Sequence, residues 1–224
     1  MERTKLADRT LPSYTKGEEI FNMVTHIVGA AVGVAALVLC VVFAAIKGNA
    51  WGVVGCSIYG ATMIVLYCMS SIYHGLSPHL TAKKVFQIID HCSIFLLSAG
   101  TYTPIALCSL REYHAAIGWC VFGFTWGMAA IGIVLNAIDL KRYKTFSMIC
   151  YLVMGWCVIA AAKATYLSVG LYGIIFLLAG GVSYTVGAVI YGVGKKRRYM
   201  HSLFHIFVVI GSILQFFAIF FWVI

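Results

Sequence analysis

Seven long apolar segments, separated by short polar stretches, constrain this chain more than any other feature of its sequence. Roughly 20 apolar residues span the hydrocarbon core of a bilayer, which is about 30 Å thick. Inside lipid the backbone must form its hydrogen bonds within each segment, so the segments are predicted to be helices. They cover residues 20–46, 51–73, 85–110, 115–135, 146–162, 169–191 and 199–224.

The composition supports a membrane location for nearly the whole chain. Of its 224 residues, 62% are hydrophobic and only 10% are charged, whereas a soluble domain keeps about a quarter of its residues charged. The tail of residues 1–19 and the short loops are too small to form a second domain. We therefore predict an all-α fold: a seven-transmembrane helix bundle over residues 20–224 that follows a cytoplasmic N-terminal tail.

The basic residues predict the orientation of this bundle, because Lys and Arg in short loops mark the cytoplasmic side. One predicted side carries 13 of the 16 Lys and Arg residues, in the tail and after the second, fourth and sixth segments. This distribution predicts a cytoplasmic N-terminus and an external C-terminus. It also explains the net charge of +9 by topology and by contact with anionic headgroups, so nucleic-acid binding is not expected.

Polar residues within the segments concentrate at the predicted cytoplasmic ends. Ionisable groups are expensive to place in a membrane, so each is a candidate for function. The candidates are Glu18, Glu19, Asn22, His26, Ser70, His74, Asp90, His91, His201 and His205. For the two glutamates, a solvated helix start favoured by the helix dipole stays open beside a role in a site. Asp90 is predicted to face the interior, because a carboxylate has no acceptable position facing lipid.

Three histidines have the spacing of a zinc site. His201 and His205 lie four residues apart and therefore on one helix face, as in the helical H-E-x-x-H motif, and His74 would supply a third ligand. Zinc with three protein ligands and an open position is the catalytic arrangement, and water bound there has a pKa of about 7. Asp90 would orient that water or act as base, and Ser70 would hydrogen-bond it or a ligand. The alternative is hydrogen-bonded packing without metal.

Several short motifs follow one another along the chain: Glu18-Glu19-Ile20-Phe21-Asn22 with Thr25-His26, Ser70-Ser71-Ile72-Tyr73-His74-Gly75, Asp90-His91-Cys92-Ser93-Ile94-Phe95, Gly100-Thr101-Tyr102-Thr103-Pro104 and His201-Ser202-Leu203-Phe204-His205. Together they resemble the bacterial haemolysin-III branch of the progestin and adipoQ receptor family. The resemblance implies zinc held by His74, His201 and His205, with a water between the zinc and Asp90. It also implies the cytoplasmic N-terminus that the loop charges predict independently. Relatives of this family include alkaline ceramidases, which implies hydrolysis of a lipid amide.

These observations predict a zinc-dependent lipid amidohydrolase of the bacterial inner membrane, with a membrane lipid as substrate or ligand. The main alternative is a non-enzymatic regulator of membrane homeostasis in which a structural zinc joins helices two, three and seven. A transporter or channel is less favoured, because transporter sites usually lie near the midplane among broken helices and no charged residue is expected there. A cytolysin is also disfavoured, since so apolar a chain should have no water-soluble state.

Overall fold

A computed structural model describes residues 3–194 and 197–224, which contain helices and no strand. The helices in chain order are α1 Lys16–Ile46, α2 Ala50–Gly75, α3 Thr81–Tyr113, α4 Ala115–Asp139, α5 Lys144–Gly155, α6 Ala162–Val193 and α7 Met200–Trp222. Within α3, residues Ile105–Leu110 are π-helical, and a 3-10 turn at Cys157–Ile159 follows α5. The predicted all-α class is confirmed for the described residues.

Among the described helices, six are long and apolar enough to cross a membrane: α1, α2, α3, α4, α6 and α7. Their outward faces carry large exposed apolar side chains, such as Val28 on α1, Val134 on α4 and Leu171 on α6. Apolar surface of this extent needs an apolar environment, which a bilayer supplies. The chain is therefore a multi-pass membrane protein.

The predicted fifth segment, residues 146–162, is shorter in the structure than a full membrane span. It consists of α5, with 12 residues, and the 3-residue 3-10 turn, whereas a spanning helix needs roughly 20 residues. In contrast, α6 begins earlier than predicted and is interrupted at Gly170, whose φ of +70° favours glycine. The count of seven crossings and the orientation of the termini stay predictions.

The start of α1 is tied to the start of α7 through Glu18. Thr15 and Glu18 form a capping box, in which Glu18 N–H donates to Thr15 Oγ1 at 3.3 Å and Thr15 N–H donates to Glu18 Oε2 at 2.8 Å. The second oxygen, Glu18 Oε1, accepts the backbone N–H of Tyr199 at 2.7 Å. Tyr199 precedes α7 and adopts a left-handed φ of +61°. Glu18 therefore fixes the direction in which α7 enters the bundle.

Helix α3 runs through the centre of the bundle. In its most apolar 18-residue stretch 83% of the residues are buried, compared with 28% in that of α1 and 22% in that of α4. Its neighbour α4 approaches closely at Gly132, where an added Cβ would overlap the ring of Phe95. Small residues at such contacts let membrane helices pack backbone to backbone. The wall that α3 contributes to the interior therefore has a fixed position relative to α2 and α4.

Candidate metal centre

Three histidine side chains meet where the end of α2 approaches the start of α7. Their ligand atoms all lie within 4.8 Å of one another. His201 Nε2 lies 3.3 Å from His74 Nε2 and 3.1 Å from His205 Nε2. His74 and His205 are buried, and His201 is partly buried. The fold thus brings together the three histidines that were predicted from the sequence, although His74 and His201 are 127 residues apart in the chain.

These distances fit a shared metal ion. Nitrogen ligands of a tetrahedral zinc, bound at about 2.0–2.1 Å, lie about 3.3 Å from one another, which is close to the two observed separations. Hydrogen bonding alone explains the arrangement less well, because His201 Nε2 faces two other ring nitrogens and carries at most one proton. The described residues therefore contain a group of three histidines able to bind a metal ion.

Glu19 orients the first of these ligands. Its Oε2 lies 2.6 Å from His74 Nδ1, and its Oε1 accepts a hydrogen bond from Lys83 Nζ at 2.8 Å. Lys83 is only 1% exposed and also donates to the carbonyl of Leu76 at 2.9 Å. A carboxylate that accepts the Nδ1 proton fixes the tautomer that leaves Nε2 available to a metal. Glu19 is therefore positioned to orient His74 and to fix its tautomer, rather than to bind a metal itself.

His26 lies against the centre without belonging to the group of three. Its ring stacks on His205 with centroids 3.7 Å apart and planes at 19°, and it meets Tyr67 edge to face. Both of its ring nitrogens are buried without a hydrogen-bond partner among the described residues, as are both amide atoms of Asn22 one turn earlier. These two residues of α1 therefore present unused polar atoms beside the metal centre.

The N-terminal tail covers the centre from outside the bundle. The ring of Tyr14 stacks on His201 with centroids 5.0 Å apart and planes at 9°. The contacts that hold the tail in place include two hydrogen bonds to distant residues: Thr4 N–H donates to Asp139 Oδ2 at 2.9 Å, and Lys84 Nζ donates to the carbonyl of Ala7 at 2.6 Å. This contact was not predicted from the sequence, because a polar tail carries no periodicity that indicates where it docks.

A cavity of about 410 Å³ adjoins two of the three histidines, His201 and His205. Its polar wall is formed by His26, Ser70, Asp90, His91, His201 and His205, and its apolar wall includes Ile94, Leu97, Leu152 and Val208. Asp90 thus faces the interior, as predicted, and is 8% exposed. It is not among the residues whose ligand atoms converge within 4.8 Å. Ser70 Oγ is buried without a protein partner among the described residues.

Comparison with known proteins agrees with the motifs and the fold. The family described as Haemolysin-III related matches residues 14–216. Hemolysin-3 of Bacillus cereus is 38% identical over 92% of this chain and 92% of its own length. The Hemolysin-3 homolog of Bacillus subtilis is 38% identical over 93% of this chain and 96% of its own.

A similarity also extends to animal proteins. The human Monocyte to macrophage differentiation factor is 27% identical over 90% of this chain and 83% of its own length. These matches run through the helices that carry the three histidines, Ser70 and Asp90. On this sequence similarity, together with its all-helical multi-pass structure, the chain belongs to the haemolysin-III related family.

Proposed function

We propose that this protein is a zinc-dependent hydrolase of a lipid amide. The observation that carries the proposal is the joint position of two groups on one cavity. The ligand atoms of the three histidines converge to within 4.8 Å, and two of these histidines, His201 and His205, line the polar wall of the cavity. Asp90 lies on the same wall but outside the converging group. An acid set apart from the metal ligands suits proton transfer, whereas a fourth direct ligand would suit a closed structural site.

The residues divide the reaction between them. His74, His201 and His205 hold the zinc, which when bound supplies Lewis acidity that polarises a carbonyl and acidifies water. Asp90 accepts a proton from the attacking water and returns it to the leaving nitrogen. Ser70, with its free hydroxyl on the cavity wall, donates a hydrogen bond to the carbonyl oxygen. Overall a C–O bond forms and the amide C–N bond breaks, which gives a carboxylate and an amine.

We also propose seven crossings with a cytoplasmic N-terminus. His74 at the end of α2 and His201 at the start of α7 are in contact, so an even number of crossings must separate these two points. Helices α3, α4 and α6 account for three crossings. We assign the fourth crossing to α5 with its following turn, despite its shorter length. Together with the basic loops, this parity supports a centre in the cytoplasmic leaflet of the bacterial inner membrane, next to anionic headgroups.

The first test is the metal content of the detergent-purified protein. Wild type is compared with the triple variant His74→Ala/His201→Ala/His205→Ala by elemental analysis. We expect about one zinc per chain in wild type and none in the variant. A folded, unchelated wild type without metal would reduce the histidines to polar packing and remove the basis for the hydrolase.

A second test separates the enzyme from the alternative regulator, in which zinc joins α2 to α7. Wild type and Asp90→Asn are reconstituted with a ceramide and with other N-acyl lipids, and release of fatty acid is measured. The hydrolase predicts turnover in wild type and its loss in Asp90→Asn with zinc retained. Zinc in wild type without turnover of any N-acyl lipid would favour the regulator.

A further inference from the structure

Arg9 is a buried cation in a segment whose other described residues are exposed or partly exposed. Among the described tail residues 3–15 it alone is buried, with 9% of its surface exposed. It lines the same cavity as Asp90 and the histidines of α7. The tail thus carries one guanidinium group inward, to the wall of this cavity.

This guanidinium has no anionic partner among the described residues. Its Nη1 is buried without a hydrogen bond, and the ion pairs found in the described residues do not include it. Asp139, whose charge acts on Arg9, has both oxygens engaged elsewhere. They accept backbone N–H groups of Thr4 at 2.9 Å, Lys141 at 3.0 Å and Arg142 at 3.1 Å. An unpaired buried charge is costly, which indicates that a ligand supplies the anion.

The rest of the cavity gives the chemistry of that ligand. Two lysines, Lys141 and Lys144, also line it, and the carboxylates on its wall are Asp8, which is exposed, and Asp90. The lining also has the apolar part described above, with Ile94, Leu97, Leu152 and Val208. A volume of about 410 Å³ lies within the range of about 300–1,000 Å³ that is typical of small-molecule sites. The cavity therefore combines cationic side chains, two of the three clustered histidines and apolar side chains on its walls.

We propose that this cavity binds an amphiphile with an acidic headgroup, a phosphate or a carboxylate, and that Arg9 is the residue that recognises it. A guanidinium group forms paired hydrogen bonds with either oxyanion. The acyl chain lies along the apolar wall, which places the intervening part of the ligand beside the three histidines. As a statement about the substrate this rests on the proposed hydrolase, but the binding site itself does not depend on catalysis.

Binding of dodecyl phosphate to the full-length protein in phosphatidylcholine nanodiscs tests the proposal, after subtraction of empty nanodiscs. The test variant is Arg9→Gln, and the matched control is Arg3→Gln, which removes the same charge from an exposed position of the same tail. We expect saturable binding in wild type and Arg3→Gln, and binding about 10- to 100-fold weaker in Arg9→Gln. Neutral 1-dodecanol is expected to bind all three alike.

Further arms separate the sources of the anion. Inorganic phosphate that displaced dodecyl phosphate at equal concentration would indicate a site for free anions and overturn the lipid proposal, whereas failure to compete would support it. Equal affinity of wild type for dodecyl phosphate and 1-dodecanol would also overturn it, without reliance on any variant. Unchanged binding by an Arg9→Gln variant that elutes from size-exclusion chromatography like wild type would overturn it as well. If Arg9→Gln does not fold, Arg9→Met is measured in its place.

Zinc content makes this proposal separable from the hydrolase. Arg9→Gln is expected to retain the metal, because Arg9 is not among the converging ligands. A triple histidine variant that loses zinc yet still binds dodecyl phosphate would leave the headgroup site standing. Zinc with turnover of N-acyl lipids, but no preference for acidic headgroups, would leave the hydrolase standing and remove the role of Arg9.

Discussion

The candidate metal centre and the contact between α3 and α4 differ in how their buried polar atoms are hydrogen-bonded. Near the histidines, polar side-chain atoms are buried without a protein partner among the described residues, on Asn22, His26, Ser70, His201, Ser202 and His205. At the α3–α4 contact, Thr103 and Thr125 each donate to a carbonyl of the preceding turn, at 2.8 and 3.0 Å. Unsatisfied groups normally cost stability. Their concentration at one end indicates a site arranged for ligands, whereas the α3–α4 contact is arranged for packing.

The largest effect is expected from removing a ligand. His205→Ala should abolish stable zinc binding and with it the proposed hydrolysis, since two nitrogen ligands hold zinc poorly. The matched control is His114→Ala, at an exposed position between α3 and α4. Zinc per chain and fatty-acid release are measured for both. Full activity in His205→Ala would end the metal hypothesis.

A smaller loss of zinc affinity is expected when Glu19, which contacts His74, is substituted. Glu19→Gln keeps the shape of the side chain but weakens its hold on the Nδ1 proton of His74, so zinc affinity should fall about 10- to 100-fold. Glu112→Gln removes a carboxylate from an exposed position outside the centre and serves as the control. Competition with a chelator gives both affinities. Equal affinities would mean that Glu19 acts on packing alone.

Substitutions at the α3–α4 contact should change stability and spare the metal. Gly132→Ala forces a methyl group into the ring of Phe95 and should cost about 1–3 kcal/mol of unfolding free energy. Gly127→Ala on the same helix meets nothing within 4 Å and should be nearly neutral. Thermal unfolding and zinc content are measured together. Loss of zinc in a folded Gly132→Ala protein would show that the two regions are coupled.

The last pair of substitutions removes one hydroxyl group from each of the two regions. Ser202 Oγ is buried without a hydrogen-bond partner among the described residues, so Ser202→Ala should change stability by no more than about 1 kcal/mol, or raise it. Thr103 Oγ1 donates to Ala99 and accepts from Trp126 Nε1 at 3.0 Å, so Thr103→Val should lower stability by about 1–3 kcal/mol. The reverse order of melting temperatures would contradict the division between site and packing region.

The sequence predicted those parts of the centre that depend on local geometry. His201 and His205 lie one turn apart on any helix, so their common direction follows from spacing alone. Glu19 was ambiguous because its partner His74 lies 55 residues away, and no period in the chain encodes that contact. Arg9 escaped notice for the same reason, since one cation among many in a basic tail looks like a topology signal.

The sequence by itself thus determined the helical segments, the predicted orientation and the family resemblance. Hydrophobicity and helical spacing suffice for these because they act over a few turns. Tertiary packing decided which polar groups meet. It brought the end of α2 to the start of α7, stacked His26 on His205, and laid Tyr14 of the tail over the centre. It also shortened the fifth segment to α5 and a turn. These contacts join residues far apart in sequence, so their geometry exists only once the helices have packed.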